Sequence, residues 1–377
     1  MQIKYIKLSY FSGIPFLETK PLNNIPKKIY SMEKIFSLFL AVILLASYSS
    51  AYSIVNMHEH IMSISEAGKL IAAMDENNIT KAVLLGSPAI TLYSNAEPGF
   101  KGYDKNNDEL IKITEKYPDR FIAFPTIDPK DNQKLDKLKD YTKKGAKGLK
   151  LYSGHTDFYE LALNDSKMHP VYSYLEENNI PIMFHVNGHK YKDEFKAVLN
   201  DFPDLVVICP HFCLLSSRID ELRELLHNYP NLYIDVSFGR DPFLIAGVKR
   251  LSNNKEEFKK FFEDYSDRIL FGTDSVVTDN QKKTKEWLVN VSDCYIGMLE
   301  KEKYGCFLVE EELEGLDLSE ENLKKIYEDN PKKIFSGKAA QINAKKDENT
   351  NFVVGISSII IVVLVGLLVY FITIKRK

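Results

Sequence analysis

Between residues 54 and 275 the chain repeats one pattern eight times: a short apolar run, then a charged stretch with helical spacing. The apolar runs are IVNMHEH (54–60), KAVLLGS (81–87), FIAFPTID (121–128), AKGLKLY (146–152), PIMFHVN (181–187), LVVICPH (205–211), LYIDVSF (232–238) and ILFGTDS (269–275). Stretches such as EAGKLIAAMDENN, YKDEFKAVLNDFP and SRIDELRELLHNYP separate them, with apolar residues three and four apart. Consecutive parallel strands need a crossover connection, so strand–helix alternation implies a parallel sheet covered by helices. Eight such units are the number that closes a (β/α)8 TIM barrel. An open doubly wound sheet is the competing arrangement, and it is disfavoured because no GxGxxG turn follows the first strand.

The two ends read differently from this middle. Ile35 to Val55 carries no charge, follows Lys27, Lys28 and Lys34, and passes through an apolar IFSLFLAVILLA into Ser49, Ser50 and Ala51. That order of a basic flank, apolar core and small residues is the layout of a secretory signal peptide. Residues 352–374 are uncharged throughout, long enough to cross a bilayer at about 20 residues, and followed by Lys375, Arg376 and Lys377. Positive charge stays on the cytoplasmic side, so the intervening chain is expected outside the cell. The expected organisation is therefore an extension and signal peptide (1–53), a barrel (54–340), a linker (341–351), a transmembrane helix (352–374) and a cytoplasmic tail (375–377). With a net charge of −3 and no long basic block, the chain has no electrostatic footprint for nucleic acid.

Of the four cysteines, Cys294 and Cys306 are close enough in sequence to pair across a short stretch. Cys209 and Cys213 flank His211 in CPHFC. No second cysteine pair completes a structural zinc set with them, so they read as free buried thiols.

Barrel enzymes carry their chemistry at the C-terminal ends of the strands. His58 and His60 end the first run on one face, with Glu59 opposite; Lys150 lies near the end of the fourth, His185 of the fifth, His211 of the sixth and Asp274 of the eighth. Each alone has an ordinary explanation, a satisfied core histidine or a helix cap. Gathered at one barrel mouth, imidazole nitrogens and a carboxylate are the ligands that hold a divalent transition metal and leave a position open. Arg240 follows the seventh run and offers a partner for a substrate carboxylate. The loops at 87–104 and 153–167 carry Tyr93, Phe100, Tyr103, His155, Phe158 and Tyr159, which suit either loop packing or a cover over a substrate.

HxH on the first strand, single histidines on the fifth and sixth and an aspartate on the eighth resemble the amidohydrolase superfamily. GAKGLKLY, PIMFHVNG, LFGTDS and NPKKIF resemble its amidohydrolase-related branch, which includes metal-dependent hydrolases and proteins similar to aminocarboxymuconate-semialdehyde decarboxylase. Over residues 54 to about 336, the resemblance implies that His58, His60, His185 and Asp274 bind a metal, most simply one zinc ion. It implies that His211 and Asp274 act on water or substrate, and that Lys150 bridges a second metal if two are bound. Hydrolysis of a small molecule is the first expectation; non-oxidative decarboxylation and metal binding without turnover are the alternatives.

Overall fold

The computed structural model describes residues 4–11, 14–21, 52–93 and 95–337. Lys4–Phe11 and Ile14–Pro21 form an antiparallel hairpin within a separate unit that ends at Ala51. Residues 35–51 of the expected signal segment and the apolar stretch 352–374 lie outside the described residues. Among the described residues no helix is long and apolar enough to cross a membrane.

The larger unit is a parallel α/β fold whose strands begin close to where the apolar runs place them. They are β1 (Ile54–Ile61), β2 (Ile79–Leu85), β3 (Phe121–Phe124), β4 (Leu149–Gly154), β5 (Ile182–Val186), β6 (Val207–Cys209), β7 (Leu232–Asp235), β8 (Ile269–Leu270) and β9 (Ser275–Val277). One sheet runs β8-β7-β6-β5-β4 and the other β9-β1-β2-β3, every pair parallel.

Two seams join the sheets into a ring. At one, Thr126 bridges to Lys150 and the Lys150 N–H donates to Pro125 O at 2.8 Å. At the other, the eighth strand is split: β8 pairs with β7, β9 pairs with β1, and the Phe271–Asp274 stretch between them bonds to β1 through Met57 N–H to Phe271 O (2.8 Å) and Asp274 N–H to His58 O (2.9 Å). The expected 269–275 strand is thus interrupted at Phe271–Asp274, the stretch that ends in the site residue Asp274.

Side chains fill the ring. Val55, Met57, Val83, Phe124, Met183, Ile208 and Tyr233 form an inner cluster, which Ile334 and Phe335 of the helix Asn330–Phe335 close at the end away from the histidines. The surrounding helices bury stripes spaced three and four apart, as Leu288, Val291, Tyr295 and Met298 do on Lys285–Glu300. An antiparallel hairpin, Lys303–Cys306 against Val309–Glu314, follows that helix, beyond the eight repeated units of the sequence pattern.

Two expectations about cysteine meet different outcomes. Cys294 and Cys306 are bonded, tying the Lys285–Glu300 helix to the hairpin. Cys209 and Cys213 are not free thiols: they too form a disulfide, because the chain turns back after β6 and brings their Cα atoms to 5.1 Å, inside the range a bridge spans.

NPKKIF docks the last helix through Asn330, whose amide donates to Ser266 O and Ile269 O, each at 2.8 Å, in a buried position. Asn330→Ala leaves two buried carbonyls unpaired and is expected to lower stability by about 1–3 kcal/mol. Denaturant unfolding measures this, and a loss below about 0.5 kcal/mol would show the helix is held by Ile334 and Phe335 alone.

Candidate active site

Strict alternation along β1 would put His58 on the opposite face from Val55 and Met57, yet all three face inward. A β-bulge resolves the conflict: Asn56 pairs with Ala82 and Glu59 with Leu84, so Met57 and His58 together oppose the single residue Val83. The bulge withdraws the His58 N–H from the ladder, and Asn56 Oδ1 accepts it at 3.0 Å. Asn56 Nδ2 donates to Glu59 Oε1 at 2.6 Å, and Thr273 also donates to that oxygen, which holds Glu59 on the far side. Burial pushes the Glu59 carboxyl up to about 8 despite those two hydrogen bonds.

The inward side chains converge on one carboxylate. His58 Nε2 lies 2.9 Å and His60 Nε2 3.1 Å from Asp274 Oδ1, while His211 Nε2 lies 3.7 Å from Asp274 Oδ2. Asp274 sits at φ 52°, a left-handed conformation that aspartate tolerates better than most residues. Gly239, at φ 80°, leaves the space beside it: a Cβ there would stand 2.7 Å from Asp274 Oδ2.

Each imidazole is held from behind. His58 Nδ1 hydrogen-bonds Asp235 Oδ2 at 2.6 Å, His60 Nδ1 hydrogen-bonds Ser87 Oγ at 2.7 Å, and His211 Nδ1 hydrogen-bonds Ser237 Oγ at 2.9 Å. Asp235 Oδ1 also accepts the His211 backbone N–H at 3.0 Å and the Ser237 hydroxyl at 2.6 Å, so one carboxylate orients two of the three rings. The Phe238 N–H donates to Tyr295 Oη at 2.7 Å, fixing the loop that carries Ser237.

Charge at the site is set by burial and by these carboxylates. Burial pulls His60 and His211 down to about 4 and His185 well below its usual range, so these rings are neutral at pH 7 with lone pairs to offer. Burial acts the same way on His58, but the charges of Asp274 and Asp235 outweigh it and the net shift is upward. Asp274 stays ionised despite burial because His58, His60 and His211 surround it. His58 Nε2 is buried and makes no hydrogen bond, although a carboxylate oxygen is 2.9 Å away. A cation shared between the ring nitrogen and the carboxylate, a proton or a metal ion, is what lets them approach this closely.

These features fit a divalent metal. His58, His211 and Asp274 offer ligand atoms that all lie within 4.8 Å of one another, and the back hydrogen bonds fix each ring as metal-binding histidines usually require. Of the other residues anticipated from sequence, His185 stands beside this group, its ring 4.8 Å from that of His211 and 4.7 Å from that of His155. Lys150 is fully buried, its Nζ makes no hydrogen bond, it lies 5.0 Å from the Tyr152 ring centre, and burial lowers it to about 8. Arg240 is exposed at the start of the Asp241–Asn253 helix. Phe100, Tyr103 and Phe158 pack with Tyr152 into a buried cluster, so they stabilise their own loops. Asp235, Ser237 and Ser87 were not anticipated. The signal for Asp235 and Ser237 was their period of two with Tyr233, which puts polar side chains on the inward face of an apolar strand.

The family profile described as Amidohydrolase matches residues 55–337, and the chain belongs to that family. Solved structures with the same fold include a TIM-barrel protein from Bordetella bronchiseptica (TM-score 0.52, 16% identity, 76% of this chain and 99% of that one). They also include a probable 2-pyrone-4,6-dicarboxylic acid hydrolase from Acinetobacter baumannii (0.52, 16%, 75% and 99%) and an amidohydrolase from Burkholderia multivorans (0.51, 10%, 75% and 99%). At these identities the likeness concerns the fold. No curated protein matches the chain.

Asp235→Ala frees the His58 and His211 rings and is expected to weaken metal affinity about 10–100-fold in a folded protein. Competition against a chelating dye reads this directly; unchanged affinity would remove Asp235 from the support of the site.

Proposed function

We propose that this protein is a metal-dependent hydrolase of small molecules. The observation that carries the reading is the convergence on Asp274 of imidazoles whose Nδ1 atoms are tied back and whose Nε2 atoms face inward. His58, His60 and Asp274 Oδ1 would hold the cation, with His185 as the further ligand, and His211, whose Nε2 stands furthest of the three from Asp274 at 3.7 Å, would stay free of it. A divalent ion bound there supplies Lewis acidity, lowering the pKa of water and polarising a substrate oxygen.

The chain's own groups divide the remaining work. Asp274 Oδ2 and His211 Nε2 are 3.7 Å apart, too long for a direct hydrogen bond and suited to a polar group held between them. Asp274 orients the attacking water, and His211 Nε2 transfers a proton to the leaving group while Ser237 holds its Nδ1. Lys150, buried without a hydrogen-bond partner, stabilises negative charge developing on the substrate. Lys150 also favours a second reading, non-oxidative decarboxylation, because a buried ammonium beneath the site and Arg240 at its rim suit a substrate carboxylate. If two ions bind, a modified Lys150 would hold the second.

Chelation is expected to abolish turnover across a panel of esters, amides, lactones and aromatic acids, and readdition of zinc to restore it. His211→Ala is expected to keep its metal and lose about 10²–10⁴-fold in turnover. Loss of metal in that variant would make His211 a ligand, and full turnover would remove it from the reaction.

We also place the barrel outside the cell, anchored by residues 352–374. Two disulfides among the described residues support this placement, since such bonds persist in oxidising compartments. Protease added to intact cells should remove the barrel, and complete protection would refute the placement.

A further inference from the structure

His211 sits on a turn that L-amino acids avoid. His211, Phe212, Cys213 and Leu214 follow one another at φ 57°, 55°, 54° and 57°, and none is glycine. Non-glycine residues visit this left-handed region as single residues, because Cβ crowds the carbonyl oxygen there; four in succession need something outside the backbone to hold them. The turn's own hydrogen bonds are few: Cys213 N–H to Pro210 O at 3.0 Å and Leu215 N–H to Phe212 O at 2.9 Å. Cys213 O also accepts from Gly188 N–H at 2.9 Å.

The Cys209–Cys213 disulfide spans this turn and no other part of the chain. Cys209 is the last residue of β6 and is fully buried, so it is a fixed point; Cys213 is the third residue of the turn. His211 lies midway between them, its N–H on Asp235 Oδ1 and its Nδ1 on Ser237 Oγ. A bridge closing so short a loop does little for the barrel as a whole, whose strands are already paired on both sides. It directly limits the conformations open to the four residues that aim the imidazole.

We propose that the Cys209–Cys213 disulfide is the positioning element of His211, a covalent clasp that holds the left-handed turn in place of glycine, so that opening the clasp releases His211 from the site while the barrel stays folded. Opening takes two electrons and two protons from a dithiol, which becomes a disulfide as the bridge becomes two thiols. Both sulfurs lie on fully buried residues, whereas Leu214 is 43% exposed, so access follows local opening of the turn. The consequence for catalysis rests on the role proposed for His211; the clasp itself does not, and the test reads the turn directly.

The turn is to be probed in four full-length proteins: wild type, Cys209→Ser with Cys213→Ser, Leu214→Gly, and all three changes together. Leu214 is chosen because its exposed side chain can be removed with little loss of packing, while glycine accepts the left-handed conformation. Amide exchange by mass spectrometry follows residues 210–215, with diethylpyrocarbonate labelling of His211 as a second reading. Removing the bridge should speed exchange across 210–215 and labelling of His211 at least tenfold, with β1 and β5 protected as before. Leu214→Gly should change little with the bridge present and restore most of the protection without it. Should the two-serine variant not fold, Cys209→Ala with Cys213→Ala gives the same comparison with the Cys294–Cys306 bridge left intact. Unchanged exchange without the bridge would overturn the proposal, the stacking of Phe212 on Phe238 then being sufficient. A uniform loss of protection through the barrel that Leu214→Gly leaves untouched would also overturn it, the bridge then serving overall stability.

Discussion

The Asp274 carboxylate is the charge around which the barrel mouth is built. A buried anion is costly unless it is paired and hydrogen-bonded. Here the partners arrive from separate strands: His58 and His60 from β1, and His211 from the turn after β6. Meeting them at one point places demands on the backbone that regular strands cannot satisfy. β1 must bulge, the eighth strand must break into two pieces with Asp274 at φ 52° between them, and the chain after β6 must wind left-handed. These three irregularities are local departures within a parallel ring. All of them lie within a few residues of the carboxylate, as expected when strain is concentrated where chemistry is needed.

A second carboxylate, Asp235, makes the first one usable. Three histidines around Asp274 could turn their Nδ1 atoms inward as readily as their Nε2 atoms. Asp235, Ser87 and Ser237 each engage an Nδ1, and this leaves the Nε2 atoms for the site. Asp235 also holds the His211 backbone, so it couples the first strand to the turn after the sixth. With Lys150 buried and carrying no hydrogen bond, the mouth contains two anions, one buried cationic group and a His58 Nε2 that must share a cation with Asp274. A divalent metal fills that role better than a proton does, since it serves several ligand atoms at once.

How much of this could be read from the chain follows from what sequence patterns encode. Apolar runs and helical spacing report burial, so the order of strands and the parallel sheet were legible, and the residues at the strand ends pointed to the mouth. Period-two alternation correctly set His58 and His60 together, but it cannot register a bulge, which shows only as a change of pairing against β2. The strands β6, β7 and β8 end earlier than their apolar runs because the residues that follow, Pro210–His211, Val236–Phe238 and Phe271–Asp274, depart from regular strand geometry where they aim side chains at the site. Asp235 passed unnoticed because a single aspartate in LYIDVSF reads as a strand-end polar residue until its neighbours in space are known. The disulfide at Cys209 and Cys213 was misjudged for a related reason: a spacing of four suits a helix turn or a metal loop equally well, and only the reversal after β6 brings the two Cα atoms to 5.1 Å.

Glycine and disulfide are two solutions to the same backbone problem, and this chain uses both at one site. Beside Asp274, Gly239 takes φ 80° and leaves room that a methyl group would fill. Around His211 the same left-handed geometry is reached without glycine, at a conformational cost of about 1–2 kcal/mol for each residue. One glycine at an exposed position such as Leu214 would relieve part of that cost, whereas glycine at all four would also strip the turn of its packing and widen the conformations open to it. Side chains at those positions keep the turn packed, with Phe212 fully buried against Phe238, Phe258 and Phe262, and the bridge limits the remaining freedom. The arrangement exchanges backbone ease for a fixed imidazole. It is stable only while the cysteines remain oxidised, so the geometry of the site is tied to the redox state of the compartment in which the barrel folds.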